Sequence, residues 1–291
     1  MVSIGVDIGG TNIRVALVDR GLVIRKVEER IQREDFNSFK NQLLRLINIV
    51  RTDEVKAIGI SIAGLFKGNE VFSPNLPFKR FNIIGILKSL DLPIEVINDG
   101  VAGAIGEKLH GNGTNNFVYL TIGTGIGGGI VVDGKVLKGR YGNAHEIGHI
   151  VLDPKGRLRC GCGGLGHWEA YCSGAGIVNF YNYLSKGRRA ESTEEVFSRR
   201  EVGDRIAERL FEECYRLNAA GIASVIYVYD PDTIVIGGGL ALNRWEEYIK
   251  PSIDLINTYV NVDLPSIKPS KLRENAPLIG AAHYAERRGR I

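Results

Sequence analysis

At 291 residues the chain exceeds a typical single domain, so two domains, each able to bury a core, are expected. Hydrophobic residues make up 44% and charged residues 24%, ordinary globular values that exclude a largely disordered protein. A net charge of +4 is too small to point to a nucleic-acid partner, and the clusters Lys186-Gly187-Arg188-Arg189 and Arg287-Arg288-Gly289-Arg290 read as solvated surface.

Residues 2 to 7 form a β-branched run ending in Asp7, and Ile13 to Val18 resumes the strand pattern, which predicts a hairpin with a polar tip. After Leu22 to Arg30, the segment Asp35 to Arg51 places Phe36, Phe39, Leu43, Leu44, Ile47 and Val50 at three- and four-residue spacing, an amphipathic helix. Val55 to Ile62 and Ile94 to Ile97 read as strands, the second followed by a small-residue helix from Gly100 to Leu109. From Phe117 the opening pattern recurs: a strand to Ile122, a Gly/Thr loop, a strand over Ile130 to Val132, then the hairpin turn Asp133-Gly134. A helical stretch from Val202 to Tyr229, a strand at Thr233 to Ile236, Gly237-Gly238-Gly239, a helix from Asn243 and a last helix over Leu278 to Arg288 complete the chain. The likeness of Val6-Asp7-Ile8-Gly9-Gly10-Thr11 to Leu120-Thr121-Ile122-Gly123-Thr124-Gly125 predicts an internal duplication. It sets an expected boundary near 110: a small domain over 1–110, joined by the helix 278–291, and a larger one over 111–277. No run of about 18 apolar residues and no charged leader with an apolar stretch is present, so a soluble cytoplasmic protein with no membrane partner is expected.

Two glycine-threonine loops leaving strand ends can donate backbone N–H groups and hydroxyls to a polyphosphate; taken singly, each can also be a plain tight hairpin. Asp7 stands where it could orient a Mg²⁺ through water. Neither loop is a Walker A sequence or a dinucleotide fingerprint. Asn98-Asp99 lies at a strand end and opens a helix, which suits either helix capping or a carboxylate aimed at a reacting hydroxyl. Of the four cysteines, Cys160, Cys162 and Cys172 are crowded together, which suits a metal loop or local redox pair better than a secreted disulfide framework; Cys214 reads as a small core residue.

These motifs together resemble the ROK family of sugar kinases and repressors, within the actin, hexokinase and Hsp70 ATPase fold, over nearly the whole chain. Asp7-Ile8-Gly9-Gly10-Thr11-Asn12 and Gly123-Thr124-Gly125-Ile126-Gly127-Gly128-Gly129 are similar to the two phosphate motifs, and Gly237-Gly238-Gly239 to the adenosine motif, with Ser173-Gly174 bordering that pocket. His145-Glu146-Ile147-Gly148-His149 and the run from Cys160 to Glu169 are similar to the family signature. The resemblance implies an α/β, two-domain, duplicated actin-like ATPase fold of the ribonuclease H type with an interdomain cleft. It also implies an ATP- and Mg²⁺-dependent hexokinase or glucokinase in which Asp99 is the base toward the sugar 6-hydroxyl. The sugar contacts it implies are Gly64, Asn75, Asn98, Asp99, Glu146, His149 and Glu169, and a homodimer or homotetramer follows by analogy. In the family a histidine of the Glu-x-Gly-His type joins three cysteines on zinc; the matching positions here are His149, Cys160, Cys162 and His167, the third cysteine having become histidine. A Cys₂His₂ structural zinc site and a metal-free glycine loop both stay open.

Three other readings fit parts of the sequence. A sugar-sensing repressor needs a DNA-reading helix-turn-helix, which is not expected where the first strand begins at residue 2. An actin- or Hsp70-like ATPase has no use for the cluster Glu146, His149 and Glu169. A dedicated N-acetylhexosamine kinase would differ from a glucokinase only at carbon 2 of the sugar, and the preferred hexose is not written in the sequence.

Overall fold

The computed structural model describes residues 1–67, 70–73, 76, 78 and 80–290. In chain order they form β1 (Val2–Ile8), β2 (Asn12–Asp19), β3 (Leu22–Arg30), α1 (Phe36–Val50), β4 (Ile58–Ile62), β5 (Leu65–Lys67), β6 (Glu70–Phe72), β7 (Arg80–Phe81), α2 (Ile83–Leu87), β8 (Ile94–Asn98) and α3 (Asp99–His110). Then come β9 (Phe117–Ile122), β10 (Ile126–Val132), β11 (Lys135–Val136), α4 (Glu169–Cys172), α5 (Gly174–Ser185), α6 (Thr193–Glu201), α7 (Arg205–Tyr229), β12 (Thr233–Gly237), α8 (Gly239–Asn243), α9 (Lys250–Asp254), β13 (Ser266–Pro269) and α10 (Ala276–Glu286). One five-stranded sheet has the order β3-β2-β1-β4-β8, antiparallel through β3, β2 and β1 and parallel through β1, β4 and β8. A second has the order β11-β10-β9-β12-β13, with β10–β11 antiparallel and β12–β13 parallel, so the hairpin-then-parallel plan occurs twice.

By internal contacts the chain divides into two compact units, residues 1–119, 128–145 and 270–291 in the first and 120–127 and 146–269 in the second. In the first unit, β1 and β4 alternate between the faces of a buried sheet, and α1 covers one face with Phe39, Leu43, Leu46, Ile47 and Val50, all fully buried. Asp35 starts that helix by accepting from the amides of Asn37 at 2.7 Å and Ser38 at 2.9 Å. On the same unit α10 lies close enough for backbone contact: a Cβ on Gly59 would sit 1.8 Å from the Ala281 carbonyl oxygen, and one on Gly280 would sit 1.7 Å from that of Ala102. Only glycine permits that approach of helix to strand and helix to helix.

The second unit is helical around an aromatic core in which Tyr171, Phe180, Phe197, Phe211 and Tyr248 are buried. The single helix expected over 202–229 begins later, at 205. Gly203 takes φ +82°, and Asp204 then caps α7 by accepting from Ile206 N at 2.8 Å and Ala207 N at 3.2 Å, which separates it from α6. Among the described residues no helix is long and apolar enough to cross a membrane.

Candidate active site

In the first unit, strand register decides the surroundings of Asp7. The ladder sets it opposite Arg14 of β2 and beside Ser61 of β4. Ser61 Oγ donates to Oδ1 at 2.9 Å and Arg14 Nη1 to Oδ2 at 3.2 Å, while Arg14 Nη2 reaches Glu28 Oε1 at 3.1 Å. Asn12 Nδ2 donates to the same Glu28 oxygen at 2.6 Å. Burial pushes the Asp7 carboxyl up from its ordinary value, with Arg14 the chief influence pulling it down. The turn after β1 is closed by Gly9 N donating to the Asn12 carbonyl at 3.0 Å, and Thr11 stands exposed at its tip beside Gly10.

Asn98 ends β8 and caps α3, its Oδ1 accepting from Gly100 N at 2.8 Å and Val101 N at 3.3 Å. Its Nδ2 donates to the Gly64 carbonyl at 3.4 Å. The helix therefore draws its cap from Asn98, and Asp99 is the acidic residue of the first turn, partly exposed. Asn75 lies outside the described residues.

The second unit gathers the three glycine motifs. Gly174 N donates to the Gly123 carbonyl at 2.8 Å and Ala175 N to that of Thr124 at 3.2 Å, which fixes the loop 123–125 on the start of α5. A Cβ on Gly123 would lie 3.7 Å from Gly239 N, and one on Gly238 would lie 2.4 Å from the Ile122 carbonyl oxygen. Gly238 also has φ +90°, so this turn is open to glycine alone. Ser173 is buried and caps α5 through Gly176 N at 2.9 Å. Thr124 is exposed at the loop tip. The later glycines of the run, Gly127 to Gly129, belong to β10.

The same unit assembles the signature residues. Glu169, first residue of α4, accepts from Ile126 N at 2.8 Å through Oε2, while Oε1 lies 3.1 Å from Cys160 Sγ and 3.8 Å from His149 Nε2. His149 Nδ1 lies 3.1 Å from Glu146 Oε2. One ligand atom from each of His149, Cys160, Cys162 and His167 falls within 4.8 Å of all the others. In a tetrahedral zinc site with bonds of about 2.0–2.3 Å the donor atoms stand about 3.3–3.8 Å apart, so a small contraction would close this set on a metal. The electrostatics agree. Cys160 foremost, then Glu146 and Glu169, push the His149 imidazole up to about 12, so these neighbours favour positive charge at the place a divalent ion would take. Burial opposes ionisation of Glu169, but the bonds from His149, Ile126 N and Cys160 hold its carboxyl below the usual value. The donor set therefore fits zinc. The loop has its own support: Asp153 accepts from Lys155 N, Arg157 N and Nε, and Tyr171 Oη, the last at 2.5 Å. Burial opposes it, yet the bonds from Tyr171 and Arg157 hold the Asp153 carboxyl down at about 2.

A sequence model of the ROK family matches residues 3–288. This chain belongs to the ROK family. It is 35% identical over 285 residues to a glucokinase of Pyrobaculum calidifontis, covering 97% of this chain and 94% of that one. It is 37% identical over 279 residues to a glucokinase of Aeropyrum pernix, covering 86% and 85%. The structure matches that of a ROK family glucokinase from Streptomyces griseus, solved with glucose and AMPPNP, at a TM-score of 0.84 and 28% identity over 99% of this chain and 100% of the other. The fold is accordingly the α/β actin-like ATPase fold of ROK sugar kinases.

Arg14 and Glu28, which tie Asp7 and Asn12 into one network, lie outside the ROK motifs. The signal for Arg14 was present in the hairpin itself, because the tight turn after β1 fixes which β2 residue stands opposite Asp7. Asp153, Arg157 and Tyr171 carry no comparable signal, since their meeting depends on the fold of the loop from 150 to 168.

Proposed function

We propose that this chain, an ATP-dependent sugar kinase, transfers the γ-phosphoryl group of ATP to the 6-hydroxyl of glucose and of some related hexoses. The observation that carries the reading is Glu169, whose two carboxylate oxygens join the loop 123–125 side, at Ile126 N, to the cluster of Glu146, His149 and Cys160. A group for grasping sugar hydroxyls and a loop for grasping phosphate are thereby held in fixed relation within one unit.

In the proposed reaction Asp99 accepts the proton of the 6-hydroxyl as its oxygen forms a bond to the γ-phosphorus. The bond from that phosphorus to the β–γ bridging oxygen breaks, and ADP leaves with the electron pair. Backbone N–H groups of Gly9 to Asn12 and of Gly123 to Gly125, with the Thr11 and Thr124 hydroxyls, donate to phosphate oxygens. Gly237 to Gly239 and Ser173-Gly174 line the nucleotide pocket. Asn98, Glu146, His149 and Glu169 bond ring hydroxyls, with the Gly64 backbone and Asn75 completing the set. Mg²⁺, oriented by Asp7 through water, would neutralise phosphate charge when bound. Zinc, held by His149, Cys160, Cys162 and His167, would be structural and would orient the His149 ring.

A coupled ADP-release assay with glucose, mannose, glucosamine, N-acetylglucosamine and N-acetylmannosamine tests the assignment, with phosphorus NMR locating the ester. Glucose should be a good substrate, phosphorylated at oxygen 6, with at least one 2-substituted or 2-epimeric hexose also accepted. Turnover confined to an N-acetylated sugar would replace glucose as the substrate.

A further inference from the structure

The first unit contains a cavity of about 610 Å³ that the ROK motifs do not touch. It opens at the ends of α3 and α10 beside the β10–β11 turn, and its polar wall is Lys108, His283, Glu286, Arg287, Arg288 and Arg290. Ile105 and Leu109 of α3 supply an apolar wall. All three arginines come from the tail cluster and are exposed, as the sequence reads them. The fold turns the tail back on itself: Arg288 has φ +49° and Gly289 φ +72°, so Arg290, beyond the end of α10, lines the same cavity as Arg287.

The charges are poorly balanced. Glu286 is the one acid among the lining residues described, and it already accepts from Ser3 Oγ at 3.0 Å and faces His283 at 3.8 Å. Glu95 lies close to Gly289. Among the described residues no carboxylate is in ion-pair range of Arg287, Arg288 or Arg290, whereas Arg14, Arg45, Arg157, Arg199 and Arg244 each have at least one. Helix-end electrostatics favours cations at the end of α10, but that needs neither a concave volume nor an apolar wall. Glu286 acts electrostatically on Arg287 without a close ion pair, so one carboxylate offsets part of the charge of three guanidinium groups. Convergent guanidinium groups in such excess are what a phosphate requires, since each can donate two parallel hydrogen bonds to its oxygens. The volume falls in the range of small-molecule sites, about 300–1,000 Å³.

We propose that this cavity binds a small phosphate-bearing metabolite at a site distinct from the phosphate loops. Along α3, at about 1.5 Å per residue, Lys108 stands roughly 14 Å from Asp99. The inference does not depend on which sugar is phosphorylated.

The test is isothermal titration calorimetry on the full chain, saturated with glucose and Mg²⁺·AMPPNP to occupy the active site, using inorganic phosphate and glucose 6-phosphate as probes. At least one probe should bind. Phosphate and glucose 6-phosphate binding alike would define a phosphate site, and glucose 6-phosphate alone a site that also uses the apolar wall. Arg287→Ala/Arg288→Ala, and separately Arg290→Ala past the helix end, should weaken binding at least tenfold for the pair while leaving turnover of glucose and thermal midpoint unchanged. Arg188→Ala/Arg189→Ala, which removes the same charge elsewhere, should bind as wild type. No heat from either probe at millimolar concentration, or an equal loss in the Arg188/Arg189 variant, would overturn the proposal.

Discussion

Replacing Arg14 by Met removes one partner of a buried carboxylate at nearly constant chain length. Deleting one member of a fully buried ion pair costs about 3–5 kcal/mol, because the other charge is left without its counter-ion. Here the Asp7 side chain is 7% exposed but that of Arg14 is 25% exposed, and Ser61 still donates to Asp7 at 2.9 Å, so about 2 kcal/mol at pH 7 is the expected loss. The pH dependence follows from the direction of the Asp7 shift. Its folded value is already raised above the unfolded value of about 3.9, and losing Arg14 raises it further. Between those values the folded state holds a proton that the unfolded chain has released, so this group's contribution is full below about pH 4 and is lost as pH rises. Arg14→Met should therefore cost more at pH 7 than at pH 4.5. Urea denaturation followed by far-ultraviolet circular dichroism is the suitable assay, since both tryptophans, Trp168 and Trp245, lie in the second unit and do not report on β1 and β2. A loss below about 0.5 kcal/mol, or one equal at the two pH values, would refute the reasoning.

Asn98→Ala removes the acceptor for two helix amides and should cost about 1 kcal/mol, whereas Asn98→Asp keeps the acceptor and should retain most of that stability in the same denaturation assay. Thr124→Val, at the exposed loop tip, should raise the KM for ATP or lower kcat while sparing the KM for glucose; unchanged ATP kinetics would return this loop to a plain turn. Protein purified without chelator should carry about one zinc per chain by elemental analysis. Cys160→Ser/Cys162→Ser should release that zinc and raise the KM for glucose through a displaced His149; full zinc content or unaltered glucose kinetics in the variant would leave the metal without the proposed role.

Much of the first sheet is written locally. The β-branched run of β1, the spacing of Phe39, Leu43 and Ile47 in α1, and the glycine punctuation after Ile8 and Ile122 each have one physical reading, and the structure follows them. The small strands β5 to β7 and the edge strand β13 are two to four residues long, and such segments gain their shape from partners rather than from periodicity. Gly203-Asp204 carries a helix-break signal, yet the apolar pattern of the following stretch reads as a helix from Val202, and α6 before it has no comparable apolar pattern. For the site, residue types on the motifs named the chemistry; the division of labour needed the backbone. The Asn98-Asp99 pair suits capping or catalysis in either order, and only the path of β8 into α3 assigns the cap to Asn98. His149 shows the same limit: its Nδ1 faces Glu146, a partner set by the single helical turn from 147 to 149.

The central claim rests on Asp99 as the base, and steady-state kinetics of Asp99→Asn beside calorimetric titration with glucose tests it most directly. The substitution keeps the size of the side chain and removes its capacity to take a proton. The account predicts that kcat falls by about 10² to 10⁴-fold, with the Kd for glucose within about threefold of wild type. Turnover within threefold of wild type, in protein that binds glucose normally, would contradict it.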